Sequence, residues 1–166
     1  MPRLPTLGPI GGASPFVGAS ACVEAAIRVV RRAERLLTLV APDLDDPVYG
    51  DAQFIAAVRR FLLSPRYTRM RILLTGRATP PPDHPLLALS RRLSTAFDVR
   101  VVPRERAGLA ASFLVADESA TWLRLEPGCL AGQLALDNAP AARTHLAVHA
   151  RYWRELPPQR MAFAEV

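Results

Sequence analysis

Three histidines, His84, His145 and His149, are the only imidazoles in this 166-residue chain, and no lysine accompanies them: all 21 basic residues are arginine. Amine chemistry is thereby excluded. A P-loop lacks its lysine, a pyridoxal-phosphate enzyme lacks its Schiff base, and a Ser–Lys hydrolase lacks its base. Cys22 and Cys129 lie far apart with no C-x-x-C pair, so neither a zinc site nor a disulfide framework is expected. His145 and His149 stand at i and i+4, a spacing that can hold one metal ion. Ala142, Leu146, Trp153 and Leu156 share their face, however, which points both rings toward a core. His84 sits in the stiff connector TPPPDHP and is expected in solvent. The densest acidic group is Asp43, Asp45, Asp46 and Asp51. Pro47 interrupts it and no glutamate closes it, so it matches no Ca²⁺ loop; turn formation and helix capping by Asp51 account for it. No metal and no other cofactor is expected.

These groups must be carried by regular elements, and hydrophobic periodicity places them. Val23, Ala26, Ile27, Val30 and Ala33 recur at helical spacing between Ala19 and Arg35, with Arg28, Arg31, Arg32 and Arg35 on another side. LLTLVA (36–41) reads as a buried strand ended by Pro42. A second helix runs from an Asp51 cap to about Leu63, followed by the strand MRILLTG (70–76). Asp83 and Pro85 suit an N-cap and a first-turn proline for a third helix to about Ser94, and DVRVVP supplies the next strand. SFLVAD and TWLRLE read as a hairpin, GCLAGQLAL as one more irregular strand, and Asp137 or Asn138 as the cap of a closing helix to Glu155.

Helices alternating with apolar strands predict an α/β domain: a three-layer αβα sandwich on a mixed, largely parallel sheet, spanning residues 19–156. Residues 1–18 read as a flexible Pro/Gly-rich arm and 157–166 as a tail. In such sheets ligand groups collect where strand C-terminal ends meet. That edge is expected to hold Asp43, Asp45, Thr75 and Arg77, with Asp117 if its strand points the same way. A second place for Asp117 is the turn after SFLVA, accepting hydrogen bonds from nearby backbone N–H groups.

This order of elements resembles one half of the phospholipase D-like fold. The superfamily carries H-x-K-x-x-x-x-D on a strand, and AASFLVAD can be laid on it with Ala110 in the His place, Ser112 in the Lys place and Asp117 in the Asp place. Domains of this kind often close on an acid- or Asn-capped helix with an aromatic and then Trp four residues later; DNAPAARTHLAVHARYWRE puts His149 and Trp153 there. RAERLLTLVAPDLDDPVYGDAQFIAAVRRFLLS looks more specifically like a bacterial family that is phospholipase D-like without the catalytic motif, matched by Arg35, Asp43-Leu44-Asp45, Tyr49 and Phe54. The resemblance covers most of residues 25–155. It implies chemistry in which an imidazole attacks phosphorus while a cation offsets charge on the phosphoryl oxygens. Neither Ala110 nor Ser112 can substitute, and pairing identical chains would join two defective halves. Because the catalytic relatives pair their halves, the resemblance also implies a homodimer.

Half of the residues are apolar, which excludes a disordered chain, and no apolar stretch approaches the roughly 20 residues of a membrane-spanning helix. MPRLPTLGPIGGASPFVG lacks the continuous apolar block of a signal peptide, so a cytoplasmic protein is expected. The +6 formal charge suits anionic partners. Glu24 and Glu34 dilute the stripe of Arg28, Arg31, Arg32 and Arg35, and aromatics for base stacking are few, so nucleic acid is a less favoured partner. The sequence therefore points to a non-catalytic domain that binds a protein partner or an anionic ligand, with no membrane insertion. Two alternatives stand beside it: a metal-dependent phosphodiesterase or nuclease built on Asp43 and Asp45, and an Arg-mediated nucleic-acid binder.

Overall fold

The computed structural model describes residues 7–44, 47–76, 81–106, 108–126 and 128–157. Its elements follow in the order β1 (Ser14–Val17), α1 (Ala19–Arg32), β2 (Leu36–Ala41), α2 (Ala52–Leu62), β3 (Arg69–Leu74), α3 (Pro85–Arg92), β4 (Phe97–Val101), β5 (Ser112–Ala116), β6 (Ala120–Arg124), β7 (Ala131–Ala135) and α4 (Ala139–Trp153). One seven-stranded mixed sheet runs β1-β7-β6-β5-β2-β3-β4. β2, β3 and β4 pair in parallel through helical crossovers. β5, β6, β7 and β1 continue the sheet by antiparallel pairing.

Alternation along each strand divides the core into two layers. Leu37, Leu39 and Ala41 of β2, with Met70, Ile72 and Leu74 of β3, pack under α1, α2 and α3. Val40, Leu73, Phe113, Val115 and Leu123 face the other way, toward α4. α2, α3 and α4 start where a side chain can satisfy their first N–H groups, whereas α1 starts after Gly18 with no side-chain cap. The Asp51 carboxylate accepts from Gln53 and Phe54 N–H at 2.8 and 3.1 Å, and Asn138 accepts from Ala141 N–H at 3.1 Å.

Two expectations are corrected. Within the arm expected over residues 1–18, Ser14–Val17 forms an edge strand paired with β7, and Ile10 donates to the Gln133 side chain at 2.7 Å; residues 1–6 lie outside the described residues. An edge strand tolerates Pro15, because the missing N–H falls outside the ladder. Phe16 lies over Gly132, where a Cβ would stand 2.1 Å from the Leu123 carbonyl oxygen, and stacks on Trp122 at 5.9 Å. His84, expected in solvent, is buried and is itself the cap of α3, its Nδ1 accepting from Leu86 N–H at 3.1 Å. Asp83, the expected cap, is exposed one residue earlier.

Candidate functional site at the strand ends

The parallel strands deliver their C-terminal ends to one edge, and β5 enters the sheet from that same edge because it runs antiparallel to β2. Val40 pairs with Phe113, so Ser112 begins its strand beside the last residue of β2. Ala110, just upstream, is exposed. Thr75 follows β3 there, its hydroxyl donating to the Leu109 carbonyl at 2.9 Å and its N–H to the Ala41 carbonyl at 2.9 Å. Gly76 N–H donates to the Pro42 carbonyl at 2.7 Å, and a Cβ at this glycine would lie 2.2 Å from that oxygen. Only glycine allows the two chains to approach so closely. Asp43 lies half-buried at this edge; Asp45 and Arg77 fall outside the described residues.

Sequence reasoning missed the residue that dominates this edge. Arg124, the last residue of β6, pairs in register with Ser112 and is 2 % exposed. Its Nε donates to the Cys129 carbonyl at 2.9 Å, and its guanidinium lies 5.7 Å from the Trp122 ring centre. A cation thus stands on the strand neighbouring the position where the resemblance would place one. The signal was present: in TWLRLE the arginine takes a position of the same face as Trp122, two residues earlier. Aromatic side chains pack near it. Tyr49 packs edge-on to Trp122 at 6.2 Å and to Phe54 at 6.3 Å, and Trp122 Nε1 donates to the Cys22 carbonyl of α1 at 3.2 Å. Ser112, Thr75 and Tyr49 expose 6 %, 1 % and 2 % of their surfaces.

Asp117 does not join this group. Antiparallel β5 carries it to the opposite edge, where it adopts a left-handed conformation (φ 52°) after the strand. Its carboxylate accepts from the backbone N–H groups of Glu34, Arg35 and Leu36 at 2.9, 3.0 and 2.9 Å, and its own N–H donates to Leu36 at 2.8 Å. The side chain thereby closes the turn between α1 and β2. Its assignment to the ligand edge is overturned by strand direction.

The two remaining histidines lie under α4, on the face of the sheet away from Ser112 and Arg124. His145 Nδ1 is 2.6 Å from the Thr121 hydroxyl and its ring stacks on Phe113 at 5.1 Å. His149 stacks on Trp153 at 4.7 Å, and its Nε2 has no hydrogen-bond partner among the described residues. Burial holds the pKa of His145 down to about 4. Burial does the same to His149, also to about 4, assisted by the Arg71 and Arg100 guanidinium groups. Arg100 lies 4.0 Å above the Trp153 ring and donates to the Trp153 and Leu156 carbonyls at 2.7 and 2.8 Å. These rings are neutral parts of the second core layer. Among the described residues, no three His, Cys, Asp or Glu side chains converge as a metal site would require.

Arg28, Arg31, Arg32 and Arg35 are exposed, as their periodicity predicts. Arg28 and Arg31 border an open seam between α1 and α2, joined there by Arg60 and Arg66, which sequence reasoning had not singled out.

A family described as a domain of unknown function, DUF7931, matches residues 18–160. The chain belongs to that family. No match was found among curated proteins. Among solved structures it is similar to Nuc, a phospholipase D family member from Salmonella typhimurium, with a TM-score of 0.62 at 13% identity, covering 89% of this chain and 99% of that one. NucT from Helicobacter pylori aligns with a TM-score of 0.58 at 8% identity over 89% of this chain and 98% of its own. TrmBL2, an archaeal chromatin protein whose structure shows a mode of DNA binding, aligns with a TM-score of 0.61 at 15% identity over 89% of this chain; this chain spans 54% of it. At such identities the likeness establishes the fold, and the fold is phospholipase D-like. No helix among the described residues is long and apolar enough to cross a membrane.

Proposed function

We propose that this protein is a non-catalytic phospholipase D-like domain that acts by binding an anionic partner. The observation that carries the reading is the packing at the strand ends. Ser112, Thr75, Tyr49 and Arg124 are buried there, Ala110 stands where the resemblance would put the attacking imidazole, and His84, the imidazole that follows β3, uses its Nδ1 to cap α3. Arg124 is anchored to Cys129 and an aromatic ring, a use of a guanidinium that stabilises the fold. His145 and His149, the other potential nucleophiles, are neutral and enclosed beneath α4. Binding is assigned to the exposed arginines, whose charge favours anions. Hydrolysis of an aryl phosphodiester with Mn²⁺ or Mg²⁺ tests the reading, run beside an Asp43→Ala, Asp45→Ala double variant. The expected rate equals the protein-free blank for both proteins. Metal-dependent turnover that disappears in the double variant would establish the phosphodiesterase alternative.

Nucleic-acid binding is a second reading, favoured by the exposed arginines of α1 and by the structural likeness to a DNA-binding chromatin protein. Fluorescence anisotropy with duplex DNA decides it. Binding whose affinity falls steeply with salt would support it, and a flat response at low salt would remove it.

A further inference from the structure

The seam between α1 and α2 is an open groove, and its origin can be read from side-chain size. Gln53, Ala56, Ala57 and Arg60 line it from α2 at helical spacing, and the two alanines leave room where larger side chains would fill the space. Ile27, Val30 and Phe61 contribute to an apolar lining, while Arg31, Arg60 and Arg66 carry guanidinium groups on the same groove, about 550 Å³ in volume. A second hollow of about 920 Å³ shares Ile27, Arg31 and Gln53 with the first and extends it toward the start of α1, adding Arg28. At the other end, the turn after α2 exposes Leu63 and Tyr67 by 56 % and 93 % beside Ser64, Arg66 and Thr68 of the groove. Among the described residues, two of the four exposed large apolar side chains therefore lie in this one turn.

Charge decides what such a groove fits. Arg28, Arg31 and Arg60 form no ion pair among the described residues, and only Arg66 meets an acid, Glu34 at 3.5 Å between two exposed side chains. Of the other acids lining the hollow among the described residues, Asp51 is engaged with the first turn of α2, leaving Glu24 as the counterweight there. Apolar lining with cationic edges complements a segment that presents apolar side chains on one face and carboxylates beside them. Ile27, Val30 and Phe61 form only the buried floor of the groove; the apolar surface left open is that of Ala56 with Leu63 and Tyr67 at the end of α2, and a duplex offers phosphates but no apolar stripe to cover it. An acyl chain would leave one side in water in so open a seam.

We infer that the α1–α2 groove docks an acidic amphipathic helix of a partner protein, with apolar side chains over Ala56, Ala57 and Leu63 and carboxylates against Arg28, Arg31 and Arg60. The inference rests on the reading of this protein as a binding module. Its failure would leave the turnover result standing, and a turnover result would leave the peptide signal standing, so the two are separately decided.

The test uses the full chain and a labelled synthetic helix with leucines at i, i+3, i+4 and i+7 flanked by glutamates. A version with arginines for the glutamates, labelled duplex DNA and anionic phosphatidylserine vesicles serve as competing ligands. The acidic helix should bind at least about tenfold tighter than its charge-reversed counterpart and shift backbone amides along α1 and α2. R31Q and R60Q together should weaken it by roughly tenfold while keeping both exposed side chains polar and adding no negative charge to the last turns of α1 and α2, so the melting temperature should move by no more than a few degrees. Equal affinity for both peptides, shifts confined to another surface, or preferential binding of the duplex or the vesicles would overturn the inference.

Discussion

At the scale of single residues, Asp117 carries the clearest lesson. Three backbone N–H groups converge on one carboxylate, and hydrogen bonds to a charged acceptor are worth more than neutral ones. Asp117→Ala is expected to cost about 2–4 kcal/mol, because it strands those donors and puts a less tolerant residue at φ 52°. Asp117→Asn keeps the left-handed preference and one acceptor oxygen, so its cost should be about half as large. Chemical denaturation of the three proteins measures this, and equal midpoints for parent and Asp117→Ala would refute the role. The AASFLVAD pattern revealed that an acid ends this strand. The partners of that acid lie more than eighty residues away and depend on β5 running against β2, which no local spacing encodes. Arg124 shares the face of Trp122 by strand alternation, which the sequence shows, but only the register with β5 places it across from Ser112.

Elements were more legible than the contacts between them. Apolar runs located β2 and β3, and the Asp51 and Asn138 caps matched the helix starts, because each is set by neighbours within a few residues. β1 was missed because SPFV is four residues long and holds a proline; its strand character comes from β7, which lies more than a hundred residues on. Gly132 makes that pairing possible. Gly132→Ala should destabilise the protein by about 1–3 kcal/mol, because a Cβ would press on the Leu123 carbonyl and the Phe16 ring; an unchanged melting temperature would contradict the close approach. α4 should also confer acid sensitivity. His145 and His149 titrate near 6.5 when unfolded and about 4 when folded, so the unfolded chain takes up protons first as pH falls. Their contribution is complete above pH 6.5 and drains away between 6.5 and 4, amounting to about 2 kcal/mol per ring on going from neutral pH to about pH 5. His149→Phe, which removes a buried nitrogen that has no partner, should leave stability at neutral pH within about 1 kcal/mol of the parent and reduce the loss on acidification. Identical pH dependence in urea denaturation would show that His149 is not enclosed.

For the whole molecule, a sheet whose strand ends commonly serve as a ligand edge buries Thr75, Ser112 and Arg124 there with Tyr49 and Trp122, while its exposed arginines border a seam between two helices. Burial of Thr75, Ser112 and Arg124 denies a phosphate group access to them, and an amide-resolved NMR titration with inorganic phosphate and dimethyl phosphate, following Thr75, Gly76, Ser112 and Arg124, tests this. Those four resonances should stay in place up to concentrations at which exposed arginine surfaces respond. Saturable shifts concentrated at Thr75, Ser112 and Arg124 would mean that the edge opens to a phosphodiester, and the account of a shut, non-catalytic domain would be wrong.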